Sequence, residues 1–121
     1  MIFKTDTTNY FRYWGKASPS ENGEWDYHLL PYHCLDVAAV GKVILQRSST
    51  LDNLAKQCNV GPDIFLNWFL FVIAIHDIGK FSNGFQAILP DICRLLRQGV
   101  INSNYRDKHW SIGFRFLFDK K

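Results

Sequence analysis

The sequence predicts an all-α fold, and three observations support that prediction. The 121 residues are 47% hydrophobic and 21% charged, which suits one folded domain and excludes a disordered or collagen-like chain. Residues 63–77 are apolar on nearly every side, which is typical of a central helix covered by its neighbours. In an earlier segment, four residues recur at the spacing of one buried helix face: His33, Val37, Val40 and Ile44.

Local signals place the N-terminal elements. Residues 15–25 are rich in turn-forming residues and predict a polar loop. A helix is expected to begin near Pro31, because the first helical turn does not need the N–H group that proline lacks. His33 then lies in the first turn of that helix, on its buried face. A short helix is predicted over 51–58, and Gly61-Pro62 marks the start of the apolar helix.

Shorter elements are expected in the C-terminal part. Gly79 favours the end of the apolar helix. Two short helices are predicted over 83–89 and 90–98, followed by a loop over 99–106. The last segment, 108–118, is predicted to be a helix with His109 and Gly113 on one face, although part of it also fits a strand.

Cysteine usage and hydropathy indicate a cytoplasmic protein without a membrane partner. The cysteines Cys34, Cys58 and Cys93 are odd in number and form no C-x-x-C pair, as expected of reduced thiols. The start of the chain has no signal-peptide pattern. The longest uncharged apolar stretch, 64–75, is shorter than the about 20 residues of a membrane span and predicts a core helix.

Positive charge is concentrated towards the C-terminus. The chain has a net charge of +3, and residues 94–121 hold seven Lys or Arg against two Asp. A basic end suits an acidic partner such as a phosphate backbone, and a plain solvated surface explains it as well.

The adjacent residues His76 and Asp77 are the first candidates for chemistry. A buried imidazole or carboxylate needs polar partners, and the C-terminal end of a helix favours a cation. Neighbouring helical side chains point about 100° apart, so one residue can serve one metal ion while the other bridges to a second. Taken alone, the pair is better explained by a capped helix end with a hydrogen-bonded histidine, and the metal site is the alternative.

The sequence around this pair resembles a known family. The block HDIGKF at 76–81 is similar to the signature of the HD superfamily of metal-dependent phosphohydrolases. Together with FRYWGK at 11–16, HCLDVAA at 33–39 and FQ at 85–86, it resembles the N-terminal HD nuclease domain of CRISPR-associated nuclease–helicases of type I systems, most of all subtype I-E. The resemblance covers residues 11 to about 117.

This resemblance implies a helical HD domain and a nuclease for single-stranded DNA, acting as endonuclease or exonuclease in CRISPR interference and antiviral defence. Its partners would be single-stranded DNA, a Cascade-type surveillance complex and a helicase module. By position, His33, His76 and Asp77 would bind a first ion, and Asp77 and His109 a second. Histidine and carboxylate ligands suit Mn, Co, Ni, Fe or Zn. Paired ions activate water and clamp the phosphodiester.

Two catalytic roles are implied as well, by Asp77 as the bridging ligand and by Lys80 as a cation near a phosphate oxygen. An ordinary surface position is the alternative for Lys80. Three tryptophans are candidates for base stacking or for core packing: Trp14, Trp25 and Trp110. His28 is expected in a loop or on the surface, and Cys34 in the core. The DNA-binding residues stay unassigned.

The sequence also departs from the family pattern. HD nuclease domains of this kind are longer, and beyond the position of His109 they carry two adjacent histidines and a later aspartate, which have no counterpart here. We therefore expect residues 1–121 to be a partial HD domain, its N-terminal half, with no helicase module. Exposed apolar surface, with oligomerisation or a missing partner segment, and inefficient turnover would follow. A non-catalytic HD module that binds the surveillance complex and an HD-type nucleotide phosphohydrolase are the alternative functions.

Overall fold

Helices make up most of the structure, a computed structural model that describes residues 9–47, 49–97 and 108–118. The α-helices of these residues are α1 (Leu30–Gln46), α2 (Thr50–Gln57), α3 (Pro62–Ala74), α4 (Asn83–Gln86), α5 (Pro90–Arg97) and α6 (His109–Phe118). Two 3-10 turns are formed by Asn9–Arg12 and Ile78–Phe81. The prediction of a helical HD-type fold is confirmed. The loop predicted over 99–106 lies wholly outside the described residues.

The predicted polar loop over 15–25 is instead largely a β-hairpin. Strands β1 (Trp14–Pro19) and β2 (Trp25–Leu29) pair antiparallel, with Lys16 opposite His28. The turn signals belong to the tip of the hairpin, where Gly23 has a φ of 83°, a left-handed conformation that glycine adopts at little cost. The prediction was wrong because it extended the turn composition into the strands on either side.

Helix α1 begins at Leu30, so Pro31 lies in its first turn as predicted. The predicted buried face is right for His33 and Val37, which are partly buried, and wrong for the second half of the helix. Val40 and Ile44 are 58% and 63% exposed, whereas Leu30 and Leu45 are buried. The cause is a close approach at Gly41, where a Cβ atom would lie 3.0 Å from Ile73 and 3.3 Å from Phe69 of α3. The buried face of α1 is therefore the one that contains Gly41.

The chain forms two compact units, the first containing the residues up to His33 and from Asp77 onwards, the second containing Cys34–His76. In the second unit, α2 packs against α3, and Ala55 and Leu66 are buried. Helix α3 buries a single residue, Leu66, so the prediction of a helix covered on every side is wrong. The prediction of exposed apolar surface is confirmed, since four side chains of α3 are more than half exposed: Ile64, Trp68, Phe71 and Val72.

The first unit has a small aromatic core. Trp14 and Phe85 stack with ring centroids 4.5 Å apart, and Ile92 of α5 completes the buried cluster. Around it pack Ala17, Leu89 and Leu96. This core joins the hairpin to α4 and α5, which places the start of β1 next to the 3-10 turn Ile78–Phe81.

One segment of the described chain, Pro62–Phe81, is apolar and long enough to cross a membrane by length and composition alone. The core helix of a soluble protein passes the same test, so the finding is weak evidence for a membrane span.

Candidate metal centre

Asp77 lies at the centre of the candidate site. Helix α3 ends at Ala74, before the predicted end at 77, so Asp77 lies in the turn that precedes Ile78–Phe81. The backbone N–H of Lys80 donates to the Asp77 carbonyl oxygen at 2.8 Å, which holds this turn closed. The Asp77 side chain is only 7% exposed, so its carboxylate depends on protein partners rather than on water.

Those partners come from three directions. Asp77 Oδ2 lies 3.0 Å from His33 Nε2 and accepts from Lys80 Nζ at 2.7 Å. The other carboxylate oxygen, Oδ1, lies 3.5 Å from His109 Nε2. One buried carboxylate thus presents one oxygen to each of two histidines, which is the arrangement expected of a bridging ligand.

His76 completes a group of metal-ligating atoms. It is exposed, it is bonded directly to Asp77 in the chain, and its Nδ1 lies 2.5 Å from the carbonyl oxygen of Ile73. One ligand atom each from His33, His76 and Asp77 lie within 4.8 Å of one another. Two imidazole nitrogens and a carboxylate oxygen fit a divalent transition metal. The structure therefore brings three of the predicted ligands together and places the fourth, His109, beside Asp77.

Lys80 is not an ordinary surface residue. Its side chain is 13% exposed, and its Nζ donates to the carbonyl oxygen of Gly15 at 2.9 Å as well as to Asp77. The ammonium also lies 5.5 Å from the centroid of the Phe85 ring. Lys80 is thus held against the candidate ligand, and the surface interpretation is wrong. Its role at a phosphate oxygen stays a prediction.

Glycines allow the histidines to approach Asp77. A Cβ atom at Gly79 would overlap the carbonyl oxygen of His109 and would lie 2.8 Å from the backbone nitrogen of Gly113. At Gly15, a Cβ atom would lie 2.8 Å from the Cα of Leu30 and 3.1 Å from the Cβ of His33. The backbone of each glycine therefore occupies space in which no side chain fits.

Sequence reasoning noted Gln86 only as part of the family resemblance and missed its position. Gln86 is fully buried and hydrogen-bonds through its side chain to Trp14 and to Lys80. In the sequence, Gln86 is a glutamine next to the core residue Phe85. That position gives no indication that its side chain bonds to Trp14, which lies 72 residues earlier in the chain.

The remaining candidates are placed as follows. Trp14 is 5% exposed and belongs to the core, which excludes it as a base-stacking platform, whereas Trp25 and Trp110 are 39% and 61% exposed. His28 lies in β2 rather than in a loop, and its ring centroid is 6.4 Å from that of His33. Cys34 is half-buried.

The helical fold and the buried aspartate with its histidines define an HD-type domain. Residues 14–120 match the family described as "Cas3, HD domain", so the chain belongs to that family. It is 47% identical over 75 residues to a protein of Escherichia coli (strain K12) named CRISPR-associated endonuclease/helicase Cas3. That alignment covers 61% of this chain and 8% of the E. coli protein. No solved structure matches the chain.

Proposed function

We propose that this chain supplies the metal centre of a nuclease that hydrolyses phosphodiester bonds of single-stranded DNA in CRISPR interference. The observation that carries the proposal is the group of ligand atoms from His33, His76 and Asp77 within 4.8 Å, with His109 beside the other oxygen of Asp77. Membership of the Cas3 HD family and the name of the E. coli relative, an endonuclease/helicase, support this substrate and reaction class.

In this proposal, His33, His76 and Asp77 hold a first divalent ion, and Asp77 and His109 hold a second, of Mn, Co, Ni, Fe or Zn. Bound ions of this type activate water near neutral pH and neutralise charge on the phosphate. The chain itself orients the ligands. Lys80 Nζ, 2.7 Å from Asp77 Oδ2, gives the buried carboxylate a cationic partner and so keeps it ionised and in one orientation.

The partners belong to the same proposal. Single-stranded DNA, a Cascade-type surveillance complex, the rest of an HD domain and a helicase module are proposed to act with this chain, in the cytoplasm. The chain aligns with only 8% of the E. coli protein, so activities of that whole protein are proposed for an assembly, with slow turnover by these residues alone.

The test is a cleavage assay on the 121-residue chain, with labelled single-stranded DNA and Mn²⁺, Co²⁺ or Ni²⁺ in turn, alongside calorimetric titration of each metal. Asp77→Asn should abolish both metal binding and cleavage because the amide is a neutral, weak ligand. Asp91→Asn is the matched control, since the Asp91 side chain is 78% exposed and lies in another helix. Cleavage that survives in Asp77→Asn and in EDTA would refute the proposal.

A non-catalytic HD module that binds a partner is the second candidate, because α3 leaves large apolar side chains exposed. It predicts metal binding with no cleavage of DNA. A panel of nucleoside triphosphates and cyclic nucleotides in the same assay tests the remaining alternative, an HD-type nucleotide phosphohydrolase. Hydrolysis of nucleotides without cleavage of DNA would favour that alternative.

A further inference from the structure

Gln86 ends the four-residue helix α4, and its side chain is hydrogen-bonded to parts of the chain outside that helix. Its side chain is fully buried, where each polar atom needs a partner. Its Oε1 accepts from the backbone N–H of Trp14 at 3.1 Å. Its Nε2 donates to the carbonyl oxygen of Trp14 at 2.9 Å and to that of Lys80 at 2.8 Å. All of the side chain's hydrogen-bonding atoms are thus engaged with two backbone segments.

Both of these backbone segments adjoin the atoms that position the Lys80 ammonium group. The Trp14 peptide precedes Gly15, whose carbonyl oxygen accepts from Lys80 Nζ at 2.9 Å. The second segment is the backbone of Lys80 itself. Gln86 therefore fixes the main chain at the base of the Lys80 side chain and next to the acceptor at its tip, and that tip contacts Asp77 Oδ2 at 2.7 Å.

We propose that Gln86 is a positioning residue of the metal centre, which acts through Gly15 and Lys80 on the Asp77 carboxylate. This inference rests on the proposed metal centre. Groups that orient metal ligands typically change metal affinity by about 10–100-fold when they are replaced. Gln86 has the properties of such a group. Its hydrogen bonds fix the backbone of Trp14 and Lys80, and Lys80 in turn contacts the candidate ligand Asp77.

The first experiment titrates Mn²⁺ into the 121-residue chain and into Gln86→Met, with circular dichroism as the check of folding. Methionine has a similar volume and makes none of the side-chain hydrogen bonds. We expect about tenfold weaker Mn²⁺ binding. We also expect an altered visible absorption spectrum of bound Co²⁺, which reports ligand geometry and does not change with stability alone.

Trp14→Phe is the matched control. Among the hydrogen bonds of the described residues, it removes only the one from Trp14 Nε1 to the backbone oxygen of Gln86, at 3.3 Å, and it keeps the backbone groups that Gln86 binds. It also reduces the packing of the buried ring against Phe85. It should lower the unfolding temperature and leave the Mn²⁺ affinity unchanged. A double-mutant cycle of Gln86→Met with Lys80→Met should be strongly non-additive, because both variants interrupt one path.

A second measurement needs no variant. Coupling is reciprocal, so saturation with Zn²⁺ should slow the hydrogen exchange of the Gln86 side-chain amide in NMR spectra of the wild-type chain. Unchanged exchange, or a folded Gln86→Met that binds Mn²⁺ as tightly as wild type, would overturn the positioning role while the metal centre stands. A wild-type chain that binds no metal would overturn the metal centre and this inference together.

Discussion

At the residue scale, the site depends on one buried carboxylate and the charges around it. Asp77 is 5% exposed and has His33, Lys80 and His109 within 3.5 Å. A buried charge without partners is costly, so these contacts stabilise the ionised carboxylate as well as orient it. His109 lies beside Asp77 Oδ1, whereas His33 contacts the other carboxylate oxygen, Oδ2.

We predict that His109→Ala removes the second metal ion and keeps the first. In the proposed centre, the first ion is held by His33, His76 and one oxygen of Asp77, which this variant does not alter, whereas the other oxygen loses its histidine partner. The measurement is the metal content per chain after dialysis against Mn²⁺.

His28→Ala is the control for that experiment, because His28 adjoins His33 but is not among the grouped ligand atoms. Equal metal loss in both variants would contradict the assignment of His109 to its own ion.

At the element scale, the 3-10 turn Ile78–Phe81 and helix α6 meet through Gly79 and Gly113. The Cβ atom that alanine adds at position 113 would contact Ile78 at 3.1 Å, and the one at position 79 would overlap the His109 carbonyl oxygen. This close contact is what delivers His109 to Asp77. The position of His109 therefore depends on the packing of α6 as well as on the motif at 76–81.

We predict that Gly79→Ala lowers the free energy of unfolding by about 1–3 kcal/mol, the range for an overpacked site. It should also weaken Mn²⁺ binding, since α6 must move away from Asp77. Urea denaturation and metal titration measure the two effects.

Gly61→Ala is the matched control for the glycine substitution. Its Cβ atom would meet nothing within 4 Å, and Gly61 has a φ of −67°, which alanine adopts without strain. A Gly79→Ala chain as stable as the Gly61→Ala chain would show that the contact between the turn and α6 is not required.

At the scale of the whole molecule, apolar side chains are left without cover. Trp68 and Phe71 of α3 are 65% and 55% exposed, and Phe116 and Phe118 of α6 are 74% and 65% exposed. Soluble monomers rarely expose contiguous apolar patches of large side chains, so these surfaces are typical of proteins that associate.

We predict that the chain self-associates at high protein concentration and that Trp68→Glu reduces this association several-fold. A charge placed among the apolar side chains of α3 raises the cost of burying that surface. Sedimentation velocity over a concentration series measures the change.

Trp25→Glu is the control for association, because it adds the same charge in the hairpin, which belongs to the other compact unit. A wild-type chain that sediments as a single monomeric species at every concentration would contradict the prediction.

The local signals of the sequence were sufficient for most elements and for naming candidate ligands. Pro31 and Gly61-Pro62 lie at the starts of α1 and α3 because capping and proline effects act within one turn. His76 and Asp77 are neighbours in the chain, so their joint presence in the site needed no tertiary information. The helical spacing of His109 and Gly113 favoured a helix over 108–118, although part of the segment also fitted a strand, and the structure has α6 there.

Only the tertiary structure decided which helix faces are buried and which contacts position the residues around Asp77. In the second half of α1, the buried face is the one with Gly41 and Leu45, where α3 approaches closely, and not the one with Val40 and Ile44. Lys80 reaches Gly15, and Gln86 reaches Trp14, across separations of 65 and 72 residues. Hydrogen bonds between such distant residues leave no periodicity in the sequence, because their partners are set by packing. The sequence by itself thus determined the helices, the family and the candidate ligands. Packing between distant segments determined the ion pair of Asp77, the contacts of Gln86 and the exposed apolar surface.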